Sequence, residues 1–167
     1  SGTLFSCDAF GSYGRLTDGI FDDDYRERSF FEQEALRYFA NIVAAFSKAV
    51  LNAGEKLAAL PIQTVAPSHG LVWRQNPTRI MELYLQWSSY NSGRAEAGIT
   101  LLYGSMYGNT DRLTQAVIDG LRSSGVPFSS HDVRQTHVSY ILPSLWVNQG
   151  VMIGAPTYEG ALFPIMA

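Results

Sequence analysis

Seven consecutive residues, Gly104-Ser105-Met106-Tyr107-Gly108-Asn109-Thr110, combine glycines and hydroxyl side chains at the start of a predicted helix. An apolar stretch typical of a strand precedes them. A turn of this kind points free backbone N–H groups and the positive end of a helix towards one place, where the Ser105 and Thr110 hydroxyls add donors. This chemistry suits a phosphate group.

The composition of this loop indicates which class of phosphate ligand it fits. It holds no lysine, so it differs from the nucleoside-triphosphate P-loop, and it lacks the G-x-G-x-x-G spacing of dinucleotide-binding folds. A single terminal phosphate, as in FMN, is the better match. The alternative is an ordinary Gly/Ser turn from strand to helix that binds no ligand.

A second loop with similar properties is Gly154-Ala155-Pro156-Thr157-Tyr158-Glu159-Gly160, which follows a later predicted strand. Here Tyr158 can lie against a planar ring, and the backbone of residues 157–160 can bond the polar edge of that ring. The alternative is a plain turn with a surface aromatic. Parallel sheets bind ligands at the carboxyl ends of their strands, so two such loops on one sheet support each other.

The elements that position these loops alternate between strand and helix. We expect a strand over 99–103, a helix over 109–123, a strand over 128–133 and a strand over 146–153, with a helix between the last two. This order predicts a parallel sheet with right-handed crossovers.

The first half of the chain has a different pattern. We expect a strand over 3–7, a long helix that begins at a capping box, Ser29 to Glu32, and ends near Gly54, and a strand over 62–66. Asn76-Pro77 predicts an N-cap and first turn for a helix that runs to about Ser89. The small, polar stretch 91–98 predicts a domain boundary.

Composition excludes several classes of function. The chain has 167 residues, 46% apolar and 16% charged, with 12 basic and 15 acidic residues. It holds no Lys/Arg cluster for nucleic acid and no apolar run long enough for a membrane span. A single cysteine, Cys7, permits no internal disulfide, which fits the cytoplasm. We expect Cys7 to be buried and Asp22 to Asp24 to lie in a solvated loop.

With these residues in view, the chain resembles the flavodiiron proteins. The resemblance rests on Leu4-Phe5-Ser6-Cys7-Asp8-Ala9-Phe10-Gly11, on Ala66-Pro67-Ser68-His69-Gly70-Leu71-Val72-Trp73-Arg74 and on the two flavin-type loops. It implies an α/β fold in two parts. The C-terminal part of a metallo-β-lactamase-like αββα diiron domain covers 1–92, and the N-terminal part of a flavodoxin-like, doubly wound FMN domain covers 99–167. Residues 93–98 would link them.

The resemblance also implies metal ligands and cofactors. Asp8 matches the carboxylate that bridges two non-haem irons, and His69 matches the last histidine ligand. A carboxylate can bridge two hard cations, and an imidazole suits iron, so both choices are chemically reasonable. Without the family, Asp8 is more often a loop-capping residue and His69 a structural histidine. FMN would occupy the loops of residues 105–110 and 156–160.

The implied function is reduction of O2 to water, of NO to N2O, or of both, with electrons passing through FMN. The donor would be rubredoxin, a reduced deazaflavin or a nicotinamide-linked reductase, and the assembly a head-to-tail homodimer or a tetramer. Two alternatives remain: an FMN electron carrier with a non-catalytic scaffold, and a metal-dependent hydrolase. Most family iron ligands lie upstream of Asp8, and both ends look cut, so we expect the isolated chain to be inactive and marginally stable.

Overall fold

The computed structural model describes residues 2–93 and 95–166, and the chain divides into two compact units, Ser1–Arg94 and Ala95–Ala167. Each unit contains its own parallel sheet, as the fold prediction requires. Within the described residues, no helix is long and apolar enough to cross a membrane. The assignment of the two units to a diiron domain and an FMN domain stays a prediction.

The first unit has a two-stranded parallel sheet with helices between and after its strands. Strand β1 (Thr3–Cys7) pairs with β2 (Thr64–Pro67). Helices α1 (Arg28–Tyr38) and α2 (Ser47–Leu57) connect them through a π-helical turn, Phe39–Val43, and a 3-10 turn, Ala44–Phe46. Helix α3 (Pro77–Ser89) follows β2.

Two sequence expectations for the long helix are wrong. The helix begins at Arg28 without a side-chain cap, and Glu32 binds Arg79 instead of the helix start. Gly54 does not end α2 but lies inside it, where a Cβ would collide with the Leu85 side chain. The glycine therefore permits close packing of α2 against α3, and its role is contact between helices.

Aromatic packing and a helix cap organise the rest of the first unit. Phe39, Tyr84 and Trp87 contact one another with ring centroids 5.2–5.6 Å apart, and all three are buried. The predicted Asn76 cap is confirmed, since its side chain accepts a hydrogen bond from the backbone N–H of Arg79. Helix α3 is thus fixed at its first turn and along its buried face.

The second unit has three parallel strands in the order β4-β3-β5. Helix α4 covers the connection from β3 to β4, and α5 the connection from β4 to β5. This is the order that the first three strands of a flavodoxin-type sheet adopt. The elements are β3 (Glu96–Tyr103), α4 (Asn109–Ser124), β4 (Phe128–Asp132), α5 (Val138–Val147) and β5 (Asn148–Gly154).

Two boundaries in the second unit differ from the sequence prediction. Strand β3 begins at Glu96, so it includes part of the predicted linker 93–98. The third strand begins at Asn148 and not at Trp146, because α5 continues to Val147. Periodicity does not separate a short apolar helix end from the apolar strand that follows it. Among the described residues β5 pairs on one side only, and its residues 151–153 are exposed.

Candidate functional site

Asp8 and His69 come together at one edge of the small sheet in the first unit. Asp8 directly follows β1, and His69 lies two residues after the end of β2. Because the two strands are parallel neighbours, their carboxyl ends meet, although the two residues are far apart in sequence. Asp8 Oδ1 lies 3.5 Å from His69 Nε2.

Backbone contacts hold the two loops in register. The N–H of Ser68 donates to the carbonyl of Cys7 at 2.8 Å, and the N–H of Ser12 donates to the carbonyl of His69 at 3.1 Å. Gly70 has φ +80, and a Cβ there would collide with Ser12. Cys7 itself has φ +55 and is exposed, so the expectation of a buried Cys7 is wrong. Its side chain lies on the exposed face of β1, with those of Thr3 and Phe5.

A cavity of about 690 Å³ connects these residues. Asp8 and His69 line it with side chains that are 65% and 57% exposed, so both can reach a ligand from solvent. Tyr38 lies beneath them: it is buried, and its ring centroid is 5.7 Å from that of His69. Burial raises the pKa of Tyr38 to about 12, and the charge of Asp8 and a hydrogen bond to its carboxylate add to the shift. The phenol therefore keeps its proton at neutral pH.

A buried carboxylate fixes the segment that follows His69. Asp22 is fully buried and accepts hydrogen bonds from the backbone N–H groups of Arg74, Gln75 and Asn76 at 2.9–3.0 Å. The expectation that Asp22 to Asp24 lie in a solvated loop is therefore wrong for Asp22. The three amide donors provide the hydrogen bonding that a buried carboxylate needs.

The donor set of the first unit fits part of an iron site. A carboxylate oxygen and an imidazole nitrogen are ligands that non-haem iron accepts. Within residues 2–93 and 95–166, no group of three or more His, Cys, Asp and Glu side chains is placed to hold a metal ion. Asp8 and His69 can thus supply two ligands to a metal ion.

The second candidate site lies at the carboxyl edge of the larger sheet. The loop after β3 and the loop after β5 are neighbours, since the N–H of Gly104 donates to the carbonyl of Gly154 at 3.0 Å. Strands β3 and β5 pair in parallel up to Tyr103 and Gly154. Chain order reverses between these two strands, and open α/β sheets of this type bind their ligand at that point.

The loop after β3 ends at an open helix N-terminus. The Ser105 side chain is buried, and its Oγ accepts a hydrogen bond from the N–H of Gly108 at 3.0 Å. Gly108 has φ +85, and it precedes α4 without any side-chain cap among the described residues. The first-turn N–H groups of a long helix therefore remain for an anion, which fits the phosphate of FMN. Met106 and Thr110 are half-buried, and Tyr107 and Asn109 are exposed.

The loop after β5 closes in a two-residue turn. The N–H of Tyr158 donates to the carbonyl of Ala161 at 3.1 Å, and the reverse bond measures 2.8 Å. Glu159 and Gly160 both have positive φ, which is the geometry of a tight hairpin turn. Tyr158 is 39% exposed, so its ring is accessible to a planar ligand, whereas its own N–H is already paired. Pro156 is half-buried and Thr157 is exposed.

Three residues that shape these sites were missed from the sequence. The sequence predicts a solvated loop for Asp22 and no site role for Tyr38 or Arg134. Arg134 binds Asp132, Asp111 and the carbonyl of Ser105. No local motif marks any of the three, because each acts through partners that are distant in the sequence.

Comparison with known proteins gives a consistent result. The anaerobic nitric oxide reductase flavorubredoxin of Enterobacter sp. (strain 638) is 35% identical over 98% of this chain and 34% of its own length. That of Escherichia coli O1:K1 is 34% identical with the same coverage. No family model matches the chain.

Solved structures agree in fold. A mutant form of the flavo di-iron protein from Thermotoga maritima has a TM-score of 0.84 at 28% identity and matches 99% of this chain and 42% of its own. The flavodiiron protein of Giardia intestinalis has a TM-score of 0.88 at 25% identity, with 98% and 39% coverage. The rubredoxin oxygen:oxidoreductase of Desulfovibrio gigas, at 23% identity, has the same fold with a TM-score of 0.87.

These matches cover nearly the whole chain and agree with its mixed α/β fold of parallel sheets. The chain is similar in sequence to flavorubredoxins and in fold to flavodiiron proteins. It spans about a third of the length of the curated relatives that it matches.

Proposed function

We propose that this chain is part of a flavodiiron oxidoreductase that reduces NO to N2O, O2 to water, or both. The observation that carries the proposal is the match over 98% of the chain to nitric oxide reductase flavorubredoxins at 34–35% identity. Reduction of two NO molecules takes two electrons and two protons and yields N2O and water. Reduction of O2 to two water molecules takes four of each. NO is the first substrate to test, because the flavorubredoxin relatives are named for it.

The residues of the first unit have separate roles in this proposal. Asp8 offers carboxylate oxygens and His69 offers Nε2 to a pair of irons, which would bind and reduce the gas. The 3.5 Å separation of these atoms and their shared cavity support the assignment. Tyr38 lines the same cavity as a neutral phenol, so it adds no charge beside Asp8. Asp22 holds the backbone that follows His69.

The residues of the second unit would hold FMN. Residues 105–110 present the first turn of α4 to the phosphate, and Tyr158 with residues 156, 157, 159 and 160 would border the flavin ring. The open helix start and the accessible Tyr158 ring support this assignment. A rubredoxin-type protein is the donor that we propose, with a reduced deazaflavin or a nicotinamide-linked reductase as alternatives. A cytoplasmic location and a head-to-tail homodimer or tetramer complete the proposal.

The test uses the complete gene product that contains this chain, loaded with iron and FMN. We expect it to consume NO or O2 when a reduced rubredoxin is supplied. Loss of a residue that hydrogen-bonds to a metal ligand lowers activity roughly 10- to 100-fold, so His69→Ala, which removes a ligand itself, should lower the rate of gas consumption by more than that. Bound iron should fall, and bound FMN should stay at one per chain.

The matched control is His137→Asn, which changes a histidine of the other unit that caps α5. Asparagine is also a good cap, so gas consumption and iron content should not change. If His69→Ala keeps normal iron and normal rates, the metal role of His69 is wrong. A wild-type protein that binds FMN but neither iron nor gas would favour the electron-carrier alternative.

A further inference from the structure

Arg134 connects three separate parts of the candidate flavin site. Its Nε and Nη2 bind the two oxygens of Asp132 at 2.8 and 2.6 Å. Its Nη2 also binds Asp111 Oδ1 at 2.9 Å, and its Nη1 donates to the carbonyl of Ser105 at 2.8 Å. One guanidinium therefore joins the end of β4, the first turn of α4 and the loop after β3.

The bond to Ser105 has a consequence for the direction of a backbone donor. No peptide bond among the described residues is cis. In a planar trans peptide, the carbonyl of one residue and the N–H of the next point in opposite directions. Arg134 fixes the Ser105 carbonyl towards itself, so the N–H of Met106 points away from Arg134. An arginine fork already held by Asp132 is well suited to fix this peptide, because its direction is set.

The bond to Asp111 has an electrostatic consequence. Asp111 lies in the first turn of α4, where its negative charge would oppose an incoming phosphate. Arg134 pairs with this charge, and its side chain is 29% exposed against 39% for Asp111. The hydrogen bond to Arg134 also holds the pKa of Asp132 below its ordinary value. The guanidinium and the Asp132 carboxylate thus stay charged at neutral pH.

We propose that Arg134 is a positioning residue for the phosphate-binding loop, which it serves by fixing the peptide between Ser105 and Met106 and by neutralising Asp111. This inference rests on the proposed function, since it takes FMN as the ligand. Arg134 itself need not touch the flavin. A residue with this role should affect the phosphate of FMN far more than its ring.

The test compares FMN with riboflavin, which has the same ring but no phosphate. The complete gene product is stripped of flavin, and each compound is titrated while flavin fluorescence is recorded. For Arg134→Gln we expect the Kd of FMN to rise about tenfold and the Kd of riboflavin to change less than about threefold. Equal weakening of both flavins would indicate a general structural role, and no change in either would also overturn the inference.

Two further variants separate charge from position. Arg134→Gln with Asp111→Asn restores the charge balance but not the bond to Ser105, so FMN binding should recover only in part. Full recovery would show that charge alone matters and would contradict the positioning role. Arg134→Lys keeps the positive charge but not the planar guanidinium fork, and it should raise the Kd of FMN about threefold. This variant still tests the inference if Arg134→Gln does not fold. Unchanged FMN binding by Arg134→Lys would likewise contradict that role.

The control is Arg122→Gln, near the opposite end of α4. Arg122 pairs with Asp119 on the surface of the same helix, so its removal should leave both Kd values unchanged. If the wild-type protein binds no FMN at all, the proposed function fails and this inference fails with it. If the wild type binds FMN and Arg134→Gln binds it equally well, only the inference is overturned.

Discussion

The two candidate sites treat the backbone N–H groups at their helix starts in opposite ways. In the first unit, Asp22 accepts the N–H groups of three residues just before α3, and Asn76 caps the helix itself. In the second unit, α4 begins after Gly108, and no described side chain caps it. In both regions several backbone amides lie beside a parallel sheet. Among the described residues, those of the first unit bind a carboxylate of the chain, Asp22, and those of the second unit bind none.

This difference separates a structural role from a binding role. The Asp22 carboxylate is part of the chain, so its amide partners are satisfied whenever the unit is folded. The amides at the start of α4 have no such partner within the described part of the chain, and an external anion can satisfy them. The same kind of amide cluster thus stabilises one loop and leaves the other open to an external anion.

The largest effect should come from removing the internal anion. Asp22→Ala removes a fully buried carboxylate and leaves three backbone N–H groups without their acceptor, and we expect it to destabilise the first unit by about 3 kcal/mol. Hydrogen exchange of the segment 70–77 in the complete gene product measures this locally. The exchange rate of its amides should rise about 100-fold, because about 1.4 kcal/mol corresponds to a factor of ten.

The adjacent Asp23 gives a matched control. Asp23 binds the Arg74 side chain at the surface and does not accept the three backbone amides that Asp22 binds, so Asp23→Ala should change hydrogen exchange in this segment little. Equal effects of the two variants would show that the surface ion pair, and not the buried carboxylate, fixes the loop. Equal protection of segment 70–77 from hydrogen exchange in the wild type and in Asp22→Ala would contradict the structural role of Asp22.

The sequence predicted the second unit better than the first. Its strands are short apolar runs, and its ligand loops follow them directly, so pattern alone placed residues 104–110 and 154–160 at one edge. The Asn76 cap could also be predicted from the sequence, since an N-cap residue binds the first turn of its own helix. These features depend on interactions between residues close in the chain.

The missed features depend on residues that meet only after folding. The Asp22 carboxylate is a surface group by composition, and its burial follows from amides about 50 residues later. Ser29 to Glu32 has the spacing of a capping box, but Glu32 finds a better partner in Arg79, a guanidinium that binds both of its oxygens. Tertiary contacts of this kind override local signals, and a single sequence does not show them.

The next effect concerns the open helix start. Gly108 has φ +85, so Gly108→Ala should cost about 1–2 kcal/mol of stability in the second unit. Relief of that strain would rotate the first-turn amides, so we expect FMN to bind about tenfold more weakly. Fluorescence titration of the flavin-free protein measures the affinity, and urea unfolding measures the stability.

Gly125 allows these two effects to be separated. It lies at the other end of α4 with φ +70, and a Cβ at either glycine would meet nothing within 4 Å. Gly125→Ala should therefore cost similar stability while leaving FMN affinity unchanged. If both variants weaken FMN equally, loss of stability alone explains the result, and the start of α4 has no special role.

The smallest effect concerns pH and is confined to the second unit. Burial lowers the pKa of His131, whose Nε2 lies 2.8 Å from Ser144 Oγ. The unfolded chain binds a proton near the ordinary value of 6.5 whereas the folded chain resists it, so stability is complete above 6.5 and falls as the pH drops towards the lower folded value. The melting temperature, followed by release of flavin fluorescence, should decrease from about pH 7.5 to about pH 5.5. His131→Gln removes the titrating imidazole, so the melting temperature should decrease less between these two pH values. The neighbouring Asp132 has a lowered pKa, so its carboxylate does not titrate in this range. An equal decrease in the variant would assign the effect to another group.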